Sequence, residues 1–189
     1  MQFFKRFFML LTFAVGLLLP ITNVYASDLH LLFGADFLIS DVKYNSDTKA
    51  DKRYKIPKKD FQSIAPIIGL SAYGIGLEAY ILNSRTISSD TLEAKLRAYG
   101  FDVFGEANLS DNFSLIASLG MAKYTFKVTK DNRKQESDCS GPRLGIGLQY
   151  YITNNIAVQG MYHYTLLNSG NKDLYDAISE FSAGIRFIF

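Results

Sequence analysis

Tryptophan is absent from these 189 residues, and cysteine occurs once, as Cys139. A lone cysteine excludes an intramolecular disulfide, even in a compartment that permits one. Beyond Ala26 no apolar run approaches the roughly 18 residues of a membrane-spanning helix, so no transmembrane helix is expected there. An excess of charge is missing too. The first 26 residues hold two of the 20 basic residues and none of the 18 acidic ones, leaving eighteen of each sign in the remainder. A formally neutral chain has no electrostatic basis for a nucleic-acid partner, and none is expected.

The first 26 residues read as a signal peptide rather than as part of the fold. Lys5 and Arg6 form a short positive region, Phe7 to Leu19 is apolar, and Val24-Tyr25-Ala26 is a small-residue cleavage pattern. Cleavage is expected between Ala26 and Ser27, leaving residues 27–189 as one domain. An N-terminal anchor is the alternative, but the run is too short to span comfortably.

What the domain does have is alternation. Leu29, Leu31, Phe33, Ala35, Phe37 and Ile39 share one face; His30, Leu32, Gly34, Asp36, Leu38 and Ser40 share the other. Near the C-terminus Phe181, Ala183, Ile185, Phe187 and Phe189 oppose Glu180, Ser182, Gly184, Arg186 and Ile188. Period two over such lengths predicts strands, here about 29–40, 63–71, 75–82, 95–109, 113–126, 143–151, 156–167 and 178–189. Pro66 cannot donate a ladder hydrogen bond, so a bulge or a late start is expected in the second strand. The adjacent Ile67 and Ile68 leave its register open.

The connections alternate in length. Leu109-Ser110-Asp111-Asn112-Phe113 and Ile152-Thr153-Asn154-Asn155-Ile156 are near copies, polar turns between hydrophobes, and Ala72-Tyr73-Gly74 is a third tight connection with weaker turn chemistry. Between them lie longer stretches, about 41–60, 83–93, 128–141 and 168–176. Eight strands with short turns at one rim and long loops at the other form the pattern of a transmembrane β-barrel, with periplasmic turns and extracellular loops.

Alternation alone does not say which face is inside; a secreted soluble barrel that binds a ligand would bury the apolar one. The charges decide for the inverted arrangement. Leu77, Ala79 and Ile81 oppose Glu78, and Tyr99, Phe101 and Val103 oppose Asp102. A charge at the lipid midplane costs about 2–4 kcal/mol, enough to enforce that sorting. The polar faces are also rich in Gly, Ala and Ser, as a narrow eight-stranded interior requires.

The final stretch Phe181-Ser-Ala-Gly-Ile-Arg-Phe-Ile-Phe189 resembles the C-terminal assembly signal of bacterial outer-membrane proteins. With the Asp-Asn turn at 111–112 and the run Gly-Met-Tyr-His-Tyr at 160–164, nearly the whole region after Ala26 resembles the OmpA-type eight-stranded barrel family. That resemblance implies an all-β, antiparallel barrel in the cell outer membrane of a Gram-negative-type bacterium. Outer-membrane lipids, lipopolysaccharide and the barrel-assembly machinery become its expected partners. The peptidoglycan-binding module of some relatives is not expected.

Seven charged residues are expected inside: Asp36, Glu78, Asp102, Glu106, Arg143, Glu180 and Arg186. Paired charges of a packed core are the favoured account over an ion path, since eight strands enclose little beyond their own side chains. Glu78, Glu106 and Arg186 are expected in one layer near the inner rim. His30 and His163 are placed at opposite rims, which disfavours a shared metal site. His163 and Thr165 share a face and resemble the His-x-Ser pair of outer-membrane lipid A deacylases, the basis of an enzymatic alternative. No acidic partner is assigned. The expectation is therefore a non-enzymatic surface component with no catalytic, cofactor-binding or metal residues and no cofactor. Loop 41–60 is its most suggestive segment: Lys43, Lys49, Lys52, Arg53, Lys55, Lys58 and Lys59 face Asp41, Asp47, Asp51 and Asp60. Such a basic loop suits adhesion or host contact through anionic surface or glycan ligands.

Overall fold

The computed structural model describes residues 29–44, 60–89, 92–130, 133–169 and 175–189. The expected signal peptide, 1–26, and most of the basic loop, 45–59, lie outside the described residues. Eight long strands carry the alternation: β1 Leu29–Tyr44, β2 Asp60–Ala72, β3 Ile75–Ser84, β4 Leu92–Ser110, β5 Phe113–Lys130, β6 Arg133–Thr153, β7 Ile156–Leu166 and β8 Tyr175–Ile188. Each pairs antiparallel with its neighbours in sequence, and β8 closes the ring on β1, with Phe37 opposite Ala183. Closure leaves none of the eight as an edge strand through the barrel. Two short pieces are added: 87–89 folds back on 92–94, and 168–169 pairs with Cys139 and Ser140.

The predicted faces hold. Phe33, Phe37, Ile64, Ile68, Leu77, Ile81, Tyr99, Phe101, Leu144, Ile146, Phe181 and Phe189 are exposed, while Asp36, Asp102, Arg143, Glu180 and Arg186 are buried. An apolar wall facing outward around a charged lumen is stable only where lipid replaces water. It is the opposite of a secreted soluble barrel.

The inner rim has the three tight turns, Tyr73-Gly74, Asp111-Asn112 and Asn154-Asn155. Tyr73 and Gly74 have φ of 53° and 75°, the mirror-image hairpin turn that favours Asn-Gly. A tyrosine in that backbone region is uncommon, which is why the turn is weakly written in sequence. The chain ends also meet at this rim, where the Leu31 amide donates to the Phe189 carbonyl at 2.9 Å.

Two expectations fail. Strand β2 has neither a bulge nor a late start: it begins at Asp60 and keeps one register with β1 straight through Ala35 opposite Pro66. On the β3 side the pairing skips Ala65 and Pro66 and resumes unshifted at Ile67 opposite Tyr80. The missing donor therefore costs ladder bonds but not alignment, and it sets Ile67 inside and Ile68 outside. The stretch 128–141 is not a long loop. Strands β5 and β6 run on as a paired hairpin to Lys130 opposite Arg133. Its outward residues are polar, which disguised it; its inward residues Tyr124, Phe126, Val128 and Cys139 are buried.

Candidate functional site

Among the described residues, the lumen gathers the buried ionisable side chains. In a barrel this narrow, a large group fits only where the facing wall gives way. Glycines provide that room: Gly34 lies under Arg186, Gly120 under Asp102 and Gly184 under Asp36, and a Cβ at any of the three would run into those groups.

Two ion clusters result. In the inner one, Arg186 Nε donates to Glu78 Oε1 at 2.8 Å and Nη1 to Asp36 Oδ1 at 2.6 Å. In the upper one, Arg143 pairs with Asp102 through Nη1 and reaches Glu180 Oε2 at 3.1 Å through Nη2. Glu180 is fully enclosed and accepts further hydrogen bonds from Tyr124 at 3.0 Å and Ser40 at 3.1 Å. The Arg143 guanidinium also lies over the Tyr80 ring, 4.6 Å from its centroid. Buried charges persist when paired and hydrogen-bonded in this way.

All seven residues expected inside are there, but not all where expected. Glu106 does not join Arg186; it accepts from the Tyr151 hydroxyl at 2.6 Å. The reason is stagger: the β4–β5 hairpin reaches beyond the β2–β3 turn, so the Glu106 amide bonds the Gly74 carbonyl at the rim. Asp36 takes its place. His163 is not at the outer rim. It is buried in the lumen, opposite Gly145 and Glu180, with Nε2 3.9 Å from Asp102 Oδ2. Thr165 shares its face as expected, but its hydroxyl is engaged by Tyr124 at 3.1 Å. His30 is exposed at the inner rim. Three tyrosines absent from the predicted inward set also matter: Tyr80 and Tyr124 complete the upper cluster, and Tyr151 holds Glu106. Their inward phase was the signal available.

The lumen divides into two halves. Beyond the upper cluster, Val42, Phe61, Leu82, Leu96, Phe126, Tyr175 and Ile178 fill it as an apolar core, with Phe126 stacked on Tyr175 at 4.0 Å. Toward the inner rim lies a cavity of about 500 Å³, bounded above by Leu38, Ala65 and Tyr80 and extending to Tyr73, Gly74 and Asn154 of the turns. Among the described residues no group of three His, Cys, Asp or Glu is placed to hold a metal ion.

No curated protein sequence matches the chain. Solved structures do. Ail, the attachment invasion locus protein of Yersinia pestis, is similar at a TM-score of 0.62 and 16% identity, with 85% of this chain and 98% of Ail covered. Neisserial surface protein A is similar at 0.61 and 15% identity, covering 88% and 100%. The N-terminal barrel of Pseudomonas aeruginosa OprF follows at 0.56 and 12%, covering 84% and 97%. At these identities the likeness is one of fold. The family described as outer membrane protein beta-barrel domain matches residues 12–189. This chain is thus a member of the outer membrane protein β-barrel domain family, resident in the cell outer membrane.

Proposed function

We propose that this protein is a non-enzymatic surface component, exposing its strand ends and outer loops to anionic ligands such as host-surface or glycan sulfates and carboxylates. One observation carries the proposal: the apolar core that fills the outer half of the lumen. A barrel stoppered by Phe61, Leu96 and Phe126 has no open conduit, so what it offers the exterior is its outer surface. That surface continues beyond the apolar belt with outward Lys95, Arg97, Lys123 and Lys127 on β4 and β5. Loop 41–60, between β1 and β2, contributes further basic residues in sequence. Ail of Yersinia pestis, similar in fold, has been crystallised with the heparin analogue sucrose octasulfate, a polyanion.

Lipopolysaccharide and outer-membrane lipids surround the belt in this account, and the aromatic terminus at Phe189 is offered to the assembly machinery after cleavage at Ala26. The deacylase-like alternative finds less support. His163 and Thr165 point into the closed lumen, whereas an acyl-ester substrate lies against the outer wall, and Thr165 is held by Tyr124 instead of His163.

Replacing Lys52, Arg53 and Lys55 with Gln should reduce heparin binding by cells displaying the protein, without altering the amount of folded barrel. Wild-type binding should weaken as salt rises, because exposed charges are screened over about 8 Å at physiological ionic strength. Equal binding by both versions with no salt dependence would refute the proposal.

A further inference from the structure

The inner cavity has a chemistry that the surface role does not use. Four carboxylates line it, Asp36, Glu78, Asp102 and Glu106, against two guanidiniums, Arg143 and Arg186. With histidines counted neutral, two negative charges remain, and the fully enclosed Glu180 behind Arg143 adds a third. Both arginines turn their donors to carboxylates, so neither is left to hold an entering anion. The excess invites a cation.

Three buried polar atoms in the lining have no hydrogen-bond partner among the described residues: Asp102 Oδ1, Ser118 Oγ and His163 Nδ1. Asp102, Ser118 and His163 are each less than a tenth exposed. They are close together, since Ser118 and His163 crowd the same point over Gly145 and His163 stands beside Asp102. A carboxylate oxygen and a hydroxyl are acceptors for an ammonium, which donates three hydrogen bonds. The imidazole is a third through Nε2, the nitrogen it turns toward Ser118 and Asp102, when its proton sits on Nδ1. A bare metal ion is poorly served, because no cluster of three ligating residues is present among the described residues. One part of the wall is apolar: Leu32, Phe104, Ile116 and Met161 form a buried cluster that borders the cavity, and the amide side chains of Gln149 and Gln159 line it elsewhere.

We infer that the inner cavity is a binding site for a small primary aliphatic amine entering from the periplasmic side. Its ammonium sits at Asp102, Ser118 and His163, and its short carbon chain lies along Phe104, Ile116 and Met161. A volume of about 500 Å³ is within the range of small-molecule sites. The apolar core above makes this a blind pocket, filled and emptied through the inner rim.

The methionines at 121 and 161 provide the test, since Met161 lines the cavity and Met121 stands on the lipid side of β5. The full-length barrel, labelled with [13C]methyl-methionine in phospholipid nanodiscs, is titrated with 1-aminobutane and, separately, with 1-butanol and butyrate. The amine should shift the Met161 methyl signal saturably and leave Met121 in place, while the alcohol and the acid bind at least about tenfold more weakly. Asp102→Asn should weaken the amine by about tenfold, the loss of one charge-assisted hydrogen bond. Because Asp102 also holds Arg143, Ser118→Ala serves as a second variant outside both ion clusters, with an expected loss of about threefold. An unmoved Met161 signal would leave the cavity to water, equal shifts by 1-butanol would make it a merely apolar pocket, and equal shifts of both methionines would indicate partition into lipid. Each of these outcomes overturns the inference, as does unchanged amine affinity in the folded variants.

Discussion

Below Met121 and Pro142 the barrel wall is apolar outside and encloses the charged residues; above them the same strands are polar outside and apolar inside. Strand β5 shows the change within one element. Leu115, Ala117, Leu119 and Met121 face outward, and then Tyr124, Phe126 and Val128 face inward while Lys123, Thr125 and Lys127 face out. Strand β4 mirrors it, with Val103, Phe101 and Tyr99 outward and Ala98, Leu96, Ala94 and Leu92 buried. Across that boundary the backbone alternation of β4 and β5 is unbroken. Only the solvent changes, from hydrocarbon to water, and the apolar residues move to whichever face that solvent does not wet. The lower region is a membrane barrel with a charged lumen. The upper one, a crown, is built like a soluble barrel.

The largest effect should come from breaking the charge pairing that belongs to the lower region. Arg143→Met leaves Asp102 and Glu180 enclosed without their cation and should cost about 3–5 kcal/mol, read by urea unfolding in lipid vesicles. Adding Asp102→Asn and Glu180→Gln to that variant should restore most of the loss. A single-variant cost below about 1 kcal/mol would mean the lumen is wetter than its burial implies.

A matched pair of lysines probes the outer wall on either side of the boundary. Ile146→Lys puts a charge in the belt and should destabilise by about 2–4 kcal/mol. Thr129→Lys, outward in the crown and opposite Glu93, should stay within about 0.5 kcal/mol. Similar costs at both positions would erase the distinction between the two regions.

The smallest effect concerns the crown's surface pairs. Lys123 lies 3.1 Å from Asp138, and Lys127 lies 3.0 Å from Glu136, all four well exposed. The hydroxyl of Thr125 and then the ammonium of Lys123 hold the Asp138 carboxyl below its ordinary value. A carboxylate depressed in the folded state stabilises it above the unfolded pKa of about 3.9, and that contribution disappears as pH falls through the folded value. Carboxyl NMR should find Asp138 titrating below about 3.9, and Thr125→Val should move it up. A midpoint at or above that value would show these pairs to be loose contacts of no consequence.

Much of this was written along the chain, and the parts that were not have physical causes. The hairpin at 128–141 was mistaken for a loop because strand signals were sought with the belt's phase, apolar outward, and the crown carries the other. Pro66 predicts a bulge only if a missing donor also means a missing alignment, and the unbroken β1 side keeps the register. Glu106 was grouped with Arg186 by counting residues from each turn, a count that ignores how far the hairpins are staggered. His163 was sent to the rim by the same arithmetic.

The order of residues was enough for whatever depends on neighbours two positions apart: the strands, their faces, the three tight turns and the inward set of charges. Lipid and water impose those choices locally, on each strand separately. Which charges meet was decided only by the tertiary structure. Asp36 with Arg186, Glu180 with Arg143, and Glu106 with Tyr151 are partners separated by 150, 37 and 45 residues. Their pairing depends on the register with which each strand meets the next around the closed ring, and on the glycines that face them across it.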